Sequence, residues 1–554
     1  MAILSLGSSG SEVRKLQEKL AKLGFFSSAP SGSFDPATES AAKSFQTQRP
    51  WLLIDGVVGE KTLGEINDAV SDIDGQAALI AFASSSSPLD MAGLNKQPLL
   101  CQAIQRRLRG LGLYPGGKLI DGDFGSGSQK ALTDFCNAVG VAISTALQFT
   151  PIMANKLLNT PQITSVLKQA KDTSLISKKY LEYERSIGAN DANLNLGFLD
   201  MGPQHSPFYK DIHQGKEFLA ATKSVGIKSS SPATLSFSPY PNVGKLPTIV
   251  ASSLGFLNAA ITEACICLGD FNGSVITTTW LGKNATDPVE CLSATKIIPI
   301  LNVLGKIGDR IPTNPSNLIL KNTNSAARGF ELPVALTDIC SYRVSTDHSN
   351  ALSATLNAFE SKRVEWIKGQ TGNTKAIKFG GKYGSAPTIQ VPEIRDRSSD
   401  QEILASQSQA IGGNDISVYD LTRFISLVGW HGILSEPQQL PNIADRGIEQ
   451  AVIALGTDTA RYVDTAISTL GLENVVDSLV VLSKMGYGNS ALIYTAFVQF
   501  IDRHEADTPK LRTFAMTLRA KKSALSNDEA IRVDTAIATA VTEIIRRIVT
   551  EDFS

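Results

Sequence analysis

Residues 6–66 spell out a short structural plan that residues 99–140 then repeat. In the first copy Val13, Leu16, Leu20 and Leu23 recur at three- and four-residue steps, which lines one face of a helix with apolar side chains. Gly24 follows as a stop, because glycine tolerates the left-handed backbone that ends a helix. After Gly32-Ser33-Phe34 and Thr38, a second amphipathic helix carries Ala41, Ala42, Phe45 and Gln46, and Asp55-Gly56-Val57-Val58-Gly59 with Thr62 closes the copy. In the second copy Ile104, Gln105, Leu108 and Leu111-Gly112-Leu113-Tyr114 match the first helix and its stop. Asp121-Gly122-Asp123-Phe124-Gly125, Ala131, Leu132 and Phe135 match the second helix. Copy two has Cys136 where copy one has Gln46, and its third element is degenerate. Self-similarity of this kind predicts two small helical modules.

The helix spacing, the glycine stops and the Asp-Gly-x-Phe turn, in that order, resemble the three-helix peptidoglycan-binding domain attached to many wall hydrolases. The resemblance implies that peptidoglycan or a related glycan polymer is the partner. The alternative is a module that merely holds the chain together or binds another protein. Two weak sites on one chain raise avidity through effective concentration. Ala83-Ser84-Ser85-Ser86-Ser87-Pro88 reads as a flexible spacer. The expected domains are repeat 1 at 1–70, a Ser-rich linker at 71–96, repeat 2 at 97–160, a connector or decoration at 161–240 and one larger domain at 241–554. In the connector, Asn190–Leu196 and Gly202-Pro203 are rich in turn residues and poor in periodicity.

A chain of 554 residues exceeds what one core can organise, so several domains are expected. Lys and Arg total 52 against 53 Asp and Glu, a balance that excludes a charge-driven partner such as nucleic acid. No apolar run reaches the roughly 18 residues needed to span a bilayer. Met1–Gly7 lacks a signal-peptide pattern, while the repeats favour the cell envelope or an extracellular address; localisation stays open, as does oligomeric state. Cys265-Ile266-Cys267 has no second pair to complete a zinc site, and the five histidines show no ligand spacing. Buried free thiols, no metal and no cofactor are therefore expected.

From about residue 241 the pattern turns to β-structure. Ala264–Leu268 and Val275–Trp280 are strand-like runs around Gly269–Gly273, a hairpin signal. Ser293-Ala294-Thr295-Lys296 opens a helix in which Pro299 is expected to cause a bend. Ser293 and Lys296, three residues apart, share a helical face, and a lysine that loses its solvation can take the serine proton. Val481–Gly488, Ala491–Phe500 and Arg512–Leu518 read as strands, and a terminal helix starts at a Ser526–Glu529 capping box.

Hairpin, S-x-x-K helix, an all-helical middle, then strands and a terminal helix resemble the class A β-lactamase and DD-peptidase family of penicillin-recognising serine hydrolases. The fold implied is an antiparallel sheet with a helical subdomain, behind two three-helix repeats. By resemblance Ser293 is the acylated nucleophile, Lys296 its proton acceptor and Lys484 the lysine that binds a substrate carboxylate. Backbone amides of Ser293 and Tyr487 form the oxyanion hole, and Gly486 lies beside the substrate. Within Ser345-Thr346-Asp347-His348-Ser349-Asn350 no S-D-N stands intact; Ser345 is the first choice for the proton-relaying hydroxyl, with Asp347 on the substrate. Met485 replaces the family's threonine, the deacylation loop is absent, and Glu393 is the nearest candidate base. Lys378-Phe379-Gly380 competes with Lys484. Three functions stay open: a D-Ala-type peptidase or β-lactam-reactive acyl enzyme, an inactive binding or scaffold protein, and an injected toxin or self-wall regulator.

Overall fold

The computed structural model describes residues 3–553 except 48–54, 112, 114–119, 145–146, 161–172, 185–195, 200–205 and scattered shorter gaps (207, 209–210, 213–214, 225, 231, 252–253, 324, 326–328, 474, 504–508). Gly112, Tyr114, Gly202-Pro203 and most of Asn190–Leu196 thus lie outside the described residues. Two compact units result, 1–166 with 468–473 and 167–467 with 474–554.

In the first unit α1 (Ser11–Lys22), α2 (Pro36–Thr47) and α3 (Glu60–Ala83) enclose one core. The stripe read from the sequence supplies it: Val13, Leu16 and Leu20 pack with Phe34, Phe45, Val58 and Ile66. Gly24 adopts a φ of 80°, and Phe25 N–H closes onto the Leu20 carbonyl at 2.8 Å. A polar device fixes the loops. Buried Gln17 donates to Ser33 O (2.9 Å) and Thr38 Oγ1 (2.8 Å) and accepts from Gly32 N–H (2.8 Å). Gln46 does the same to Val57 O (3.0 Å) and Gly56 N–H (2.9 Å), and Gln105 to Asp123 O (2.9 Å), Ser128 Oγ (3.1 Å) and Gly122 N–H (3.0 Å). Each clamped glycine, Gly32, Gly56 and Gly122, has φ between 76° and 79°, the left-handed region that other residues enter only with strain.

Helix α3 corrects the expected boundaries. It runs unbroken through residues 71–83, with Ile66 in the first core and Leu79 and Ala83 in the second, so the Ser-rich linker is helix over half its length. The second core lies among α4 (Pro98–Gly110), α5 (Ser126–Val139) and α6 (Pro151–Asn159). The third element expected to be degenerate is this α6, which buries Met153, Ala154 and Leu157. A Leu89–Phe149 bridge stands where the first copy has Leu4–Val58.

The second unit is built on an antiparallel sheet of β1 (Ile261–Phe271), β2 (Ile276–Lys283), β3 (Val476–Tyr487), β4 (Ala491–Asp502) and β5 (Lys510–Lys521), in the order β2-β1-β5-β4-β3. Every residue of β4 is buried, so both faces of the sheet are covered. Phe497 and Ala515 join the core formed with α7 (Val418–Gly429). By the period-two rule their neighbours Val498, Phe514 and Met516, also buried, point to the other face, where α8 (Asn527–Thr550) packs. The middle is not all-helical: Leu318–Asn322, Phe330–Glu331, Pro392–Asp396 and Gln401–Ala405 pair into a second sheet. Ser526 caps α8 by accepting from Glu529 N–H (3.2 Å), but the Glu529 carboxylate turns to Ser523, so only half the capping box forms. Part of 161–240 belongs to this unit: Phe198 and Leu199 N–H groups donate to the buried Asp534 carboxylate at 3.0 and 3.1 Å.

Candidate active site

Ser293 stands in a tight 3-10 turn, Leu292–Lys296, that leads into the helix Ile297–Ile307. Pro299 falls in that helix's first turn, where the missing N–H has no intrahelical partner to lose, and the expected bend has no cause. Leu292 holds a φ of 50°, a left-handed conformation costing on the order of 1–3 kcal/mol in a non-glycine residue. The Ser293 side chain is half-buried.

Strand β3, at the edge of the sheet, runs against this turn. A Cβ on Gly486 would come within 2.8 Å of Ala294 N and 3.1 Å of Ser293 N, so only glycine permits the approach. Gly488 N–H donates to Ala491 O across the β3–β4 ladder. Alternation of an antiparallel ladder then turns the Met485 and Tyr487 peptide groups to the free edge, the side of the Ser293 turn.

Three cationic or phenolic side chains meet beside the serine. Lys484 Nζ donates to Tyr342 Oη at 2.8 Å and pairs with Asp458 at 3.3 Å, both lysine and aspartate being 0 % exposed. Lys296, also buried, donates to Ser349 Oγ at 2.8 Å and Asn350 Oδ1 at 2.7 Å. The two lysine nitrogens lie over one ring, 5.1 Å (Lys296) and 4.1 Å (Lys484) from the Tyr342 centroid. The Ser293 hydroxyl interacts with the Tyr342 phenol. Tyr383 covers Lys296 from another side, 5.3 Å from its ring centroid, and accepts from Thr295 Oγ1 at 3.1 Å.

The electrostatics divide the two lysines. Burial pushes the Lys296 pKa well below the usual lysine range, and the charge on Lys484 pushes it further. Burial works against the Lys484 ammonium too, but Tyr342 and Asp458 outweigh it and raise its pKa. Burial raises the Tyr342 pKa, so at neutral pH the phenol keeps its proton and the Asp458 carboxylate holds the charge on Lys484. The surroundings therefore favour the neutral form of Lys296 and the charged form of Lys484 on either side of Tyr342, the residue that meets Ser293.

Ser293, Lys296, Lys484, Gly486 and Tyr487 are thus brought together. Ser345 and Asp347 are not. The exposed Ser345 caps the helix Thr346–Asn357 by accepting from His348 N–H at 3.0 Å, and the exposed Asp347 accepts from Ser385. Tyr342, held at φ 53° behind the helix Leu332–Ser341, stands where the relaying hydroxyl was sought. Ser349-Asn350, on the same hexapeptide, reaches Lys296 instead. Glu393 is buried beside Arg395 on the second sheet, and Lys378 is exposed on a two-residue strand. Sequence reasoning missed Tyr342, Tyr383 and Asp458. The hexapeptide 345–350 pointed to the right segment, but the roles were placed on Ser345 and Asp347 in place of Ser349 and Asn350. Cys265 and Cys267 are buried thiols within β1, and no cluster of metal-ligating side chains occurs among the described residues.

Residues 9–66 match the family model described as "Putative peptidoglycan binding domain". The chain is 32% identical over 109 residues to N-acetylmuramoyl-L-alanine amidase CwlM of Mycobacterium tuberculosis, a match covering 20% of this chain and 24% of that protein. The chain therefore spans about a quarter of the length of that relative. Among solved structures it aligns with a representative of class A β-lactamase from Bacteroides cellulosilyticus, covering 52% of this chain and 92% of that one at 13% identity and a TM-score of 0.26.

Proposed function

We propose that the second unit is a serine acyl-transfer enzyme acting on a cell-wall peptide, held on peptidoglycan by the first. The observation that carries this reading is that Lys296 and Lys484 share the Tyr342 ring beside Ser293, in surroundings that lower the pKa of the first and raise that of the second. Ser293 Oγ attacks a D-Ala-type peptide or β-lactam carbonyl while its proton passes to the Lys296 amine. The Ser293 and Tyr487 amides receive the oxyanion. Tyr342, fixed by Lys484, gives its phenolic proton to the leaving nitrogen and is reprotonated through Lys296. Glu393 lies in another sheet, and the carboxylate of Asp458 is engaged by Lys484, so among the described residues named at the site none is free to activate water and the acyl-enzyme is expected to persist.

A second reading is an inactive binding protein on the same scaffold. It is favoured by the complete burial of Lys484 against Asp458, which leaves its ammonium engaged before any substrate carboxylate arrives, and by Met485 in place of a hydroxyl donor. Incubation of the full chain with a fluorescent penicillin decides between them. Stable labelling, lost in Ser293→Ala, supports the enzyme; an unlabelled wild type beside a labelled control enzyme supports the scaffold. Cosedimentation of the full chain with sacculi tests the tether separately, and a chain left in the supernatant removes it.

A further inference from the structure

A cavity of about 600 Å³ opens on the second unit where the helix Ile297–Ile307 ends and the loop 440–444 folds back against it. Its volume falls within the range of small-molecule sites. Trp366, half-buried, forms part of the wall. One face of its indole is stacked on the buried Phe424 at 5.3 Å and 6°, while the residue also lines the cavity. Asn302 and Gln370 also line the cavity, each more than nine-tenths buried, and Asn302 Oδ1 and Gln370 Oε1 have no hydrogen-bond partner. The Asn302 amide N–H₂ donates to Glu360 Oε2 at 3.2 Å, which identifies Oδ1 as the oxygen left without a donor. Lys306 is neutralised by the same Glu360 at 3.1 Å, so the wall offers acceptors and no free cation for an anionic ligand. Buried acceptors without donors are uncommon in native folds and call for a partner, whether water or ligand.

We propose that this cavity binds an N-acetylated hexosamine ring. Such a ring presents an axial C–H face to Trp366, amide and hydroxyl donors to Asn302 and Gln370 after a small side-chain adjustment, and an acetyl methyl to Leu301 and Leu440. The proposal deepens the glycan-directed reading above and rests on it for the choice of sugar. It gives the second unit its own grip on a glycan, separate from Ser293 and from the repeats.

The test titrates the full chain with a β-1,4-linked N-acetylglucosamine tetrasaccharide, followed by calorimetry and hydrogen–deuterium exchange. Protection of 301–309 and 440–444 is expected, together with at least a tenfold loss of that affinity in Trp366→Ala. Labelling by fluorescent penicillin should be the same in Trp366→Ala as in wild type, whatever its extent, which separates this claim from the acyl-transfer claim. Protection confined to 9–66 would leave the tether standing and overturn the cavity site. Protection of 440–444 by N-acetyl-lysine amide in place of the sugar would overturn it in favour of a cation. Should Trp366→Ala fail to fold, the wild-type exchange pattern decides alone: unprotected 301–309 and 440–444 sink the proposal.

Discussion

A lysine stripped of water is a base at neutral pH, and stripping it destabilises the fold that does so. Lys296 carries a pKa depressed by burial and by Lys484, against about 10.5 in the unfolded chain. Between the two values the unfolded state binds the extra proton, so the stability cost of Lys296 shrinks as pH rises through that window and is greatest below the depressed pKa. Relative to Lys296→Met, the wild type should therefore gain up to about 1.4 kcal/mol of unfolding free energy per pH unit in that window. Urea melts at pH 7, 8 and 9 give the slope; a flat difference would mean that Lys296 is charged when folded. Tyr342→Phe removes a proton donor and leaves the ring over which both lysine nitrogens lie. Acylation by fluorescent penicillin should fall roughly 10²–10⁴-fold, and the loss of the acceptor for the buried Lys484 ammonium should lower stability by roughly 1–3 kcal/mol. Lys296 was legible because Ser293 and Lys296 are local in sequence. Tyr342 was not, because its place depends on a left-handed residue closing one helix and on a strand arriving from 142 residues away.

At the level of elements, two glycine and glutamine devices connect pattern to packing. Gln46→Ala strands Gly56 N–H and Val57 O inside the first core, each group costing roughly 1–3 kcal/mol. Thermal melts should show it losing more stability than Cys136→Ala, since Cys136, at the matching position, is a buried thiol that clamps no loop glycine. Gly486→Ala drives a methyl into the Ser293 turn at 2.8 Å, a strain of about 1–3 kcal/mol, and should abolish labelling while the sheet still forms. The amphipathic stripes and the long buried strands were readable because periodicity and length declare them. The second sheet was not, since strands of two to five residues carry no period and are specified by the partners they meet. The spacer misread has the same origin. Its serines begin only after Ala83, and the apolar positions that place α3 in two cores lie on opposite sides of the expected boundary.

Across the first unit as a whole, that continuous helix changes what two repeats mean. A flexible spacer would let each copy find polymer independently, with avidity set by linker length. Helix α3 has 24 residues, roughly 36 Å at 1.5 Å per residue, and fixes one core to the other. Any two glycan sites on these copies would then have a set separation, and joint engagement would require the polymer to present matching repeats. The same helix lends a wall to both cores, so the two copies are expected to unfold together. Ala77→Pro, in the interior of α3, removes one helical hydrogen bond and clashes with the preceding turn, for about 3 kcal/mol or more. Hydrogen exchange should therefore quicken together around Leu16 in the first core and Leu132 in the second, and cosedimentation with sacculi should weaken beyond the loss of one site. Faster exchange confined to residues near 77, with binding to sacculi intact, would show that the copies are independent modules and that α3 joins them without coupling them.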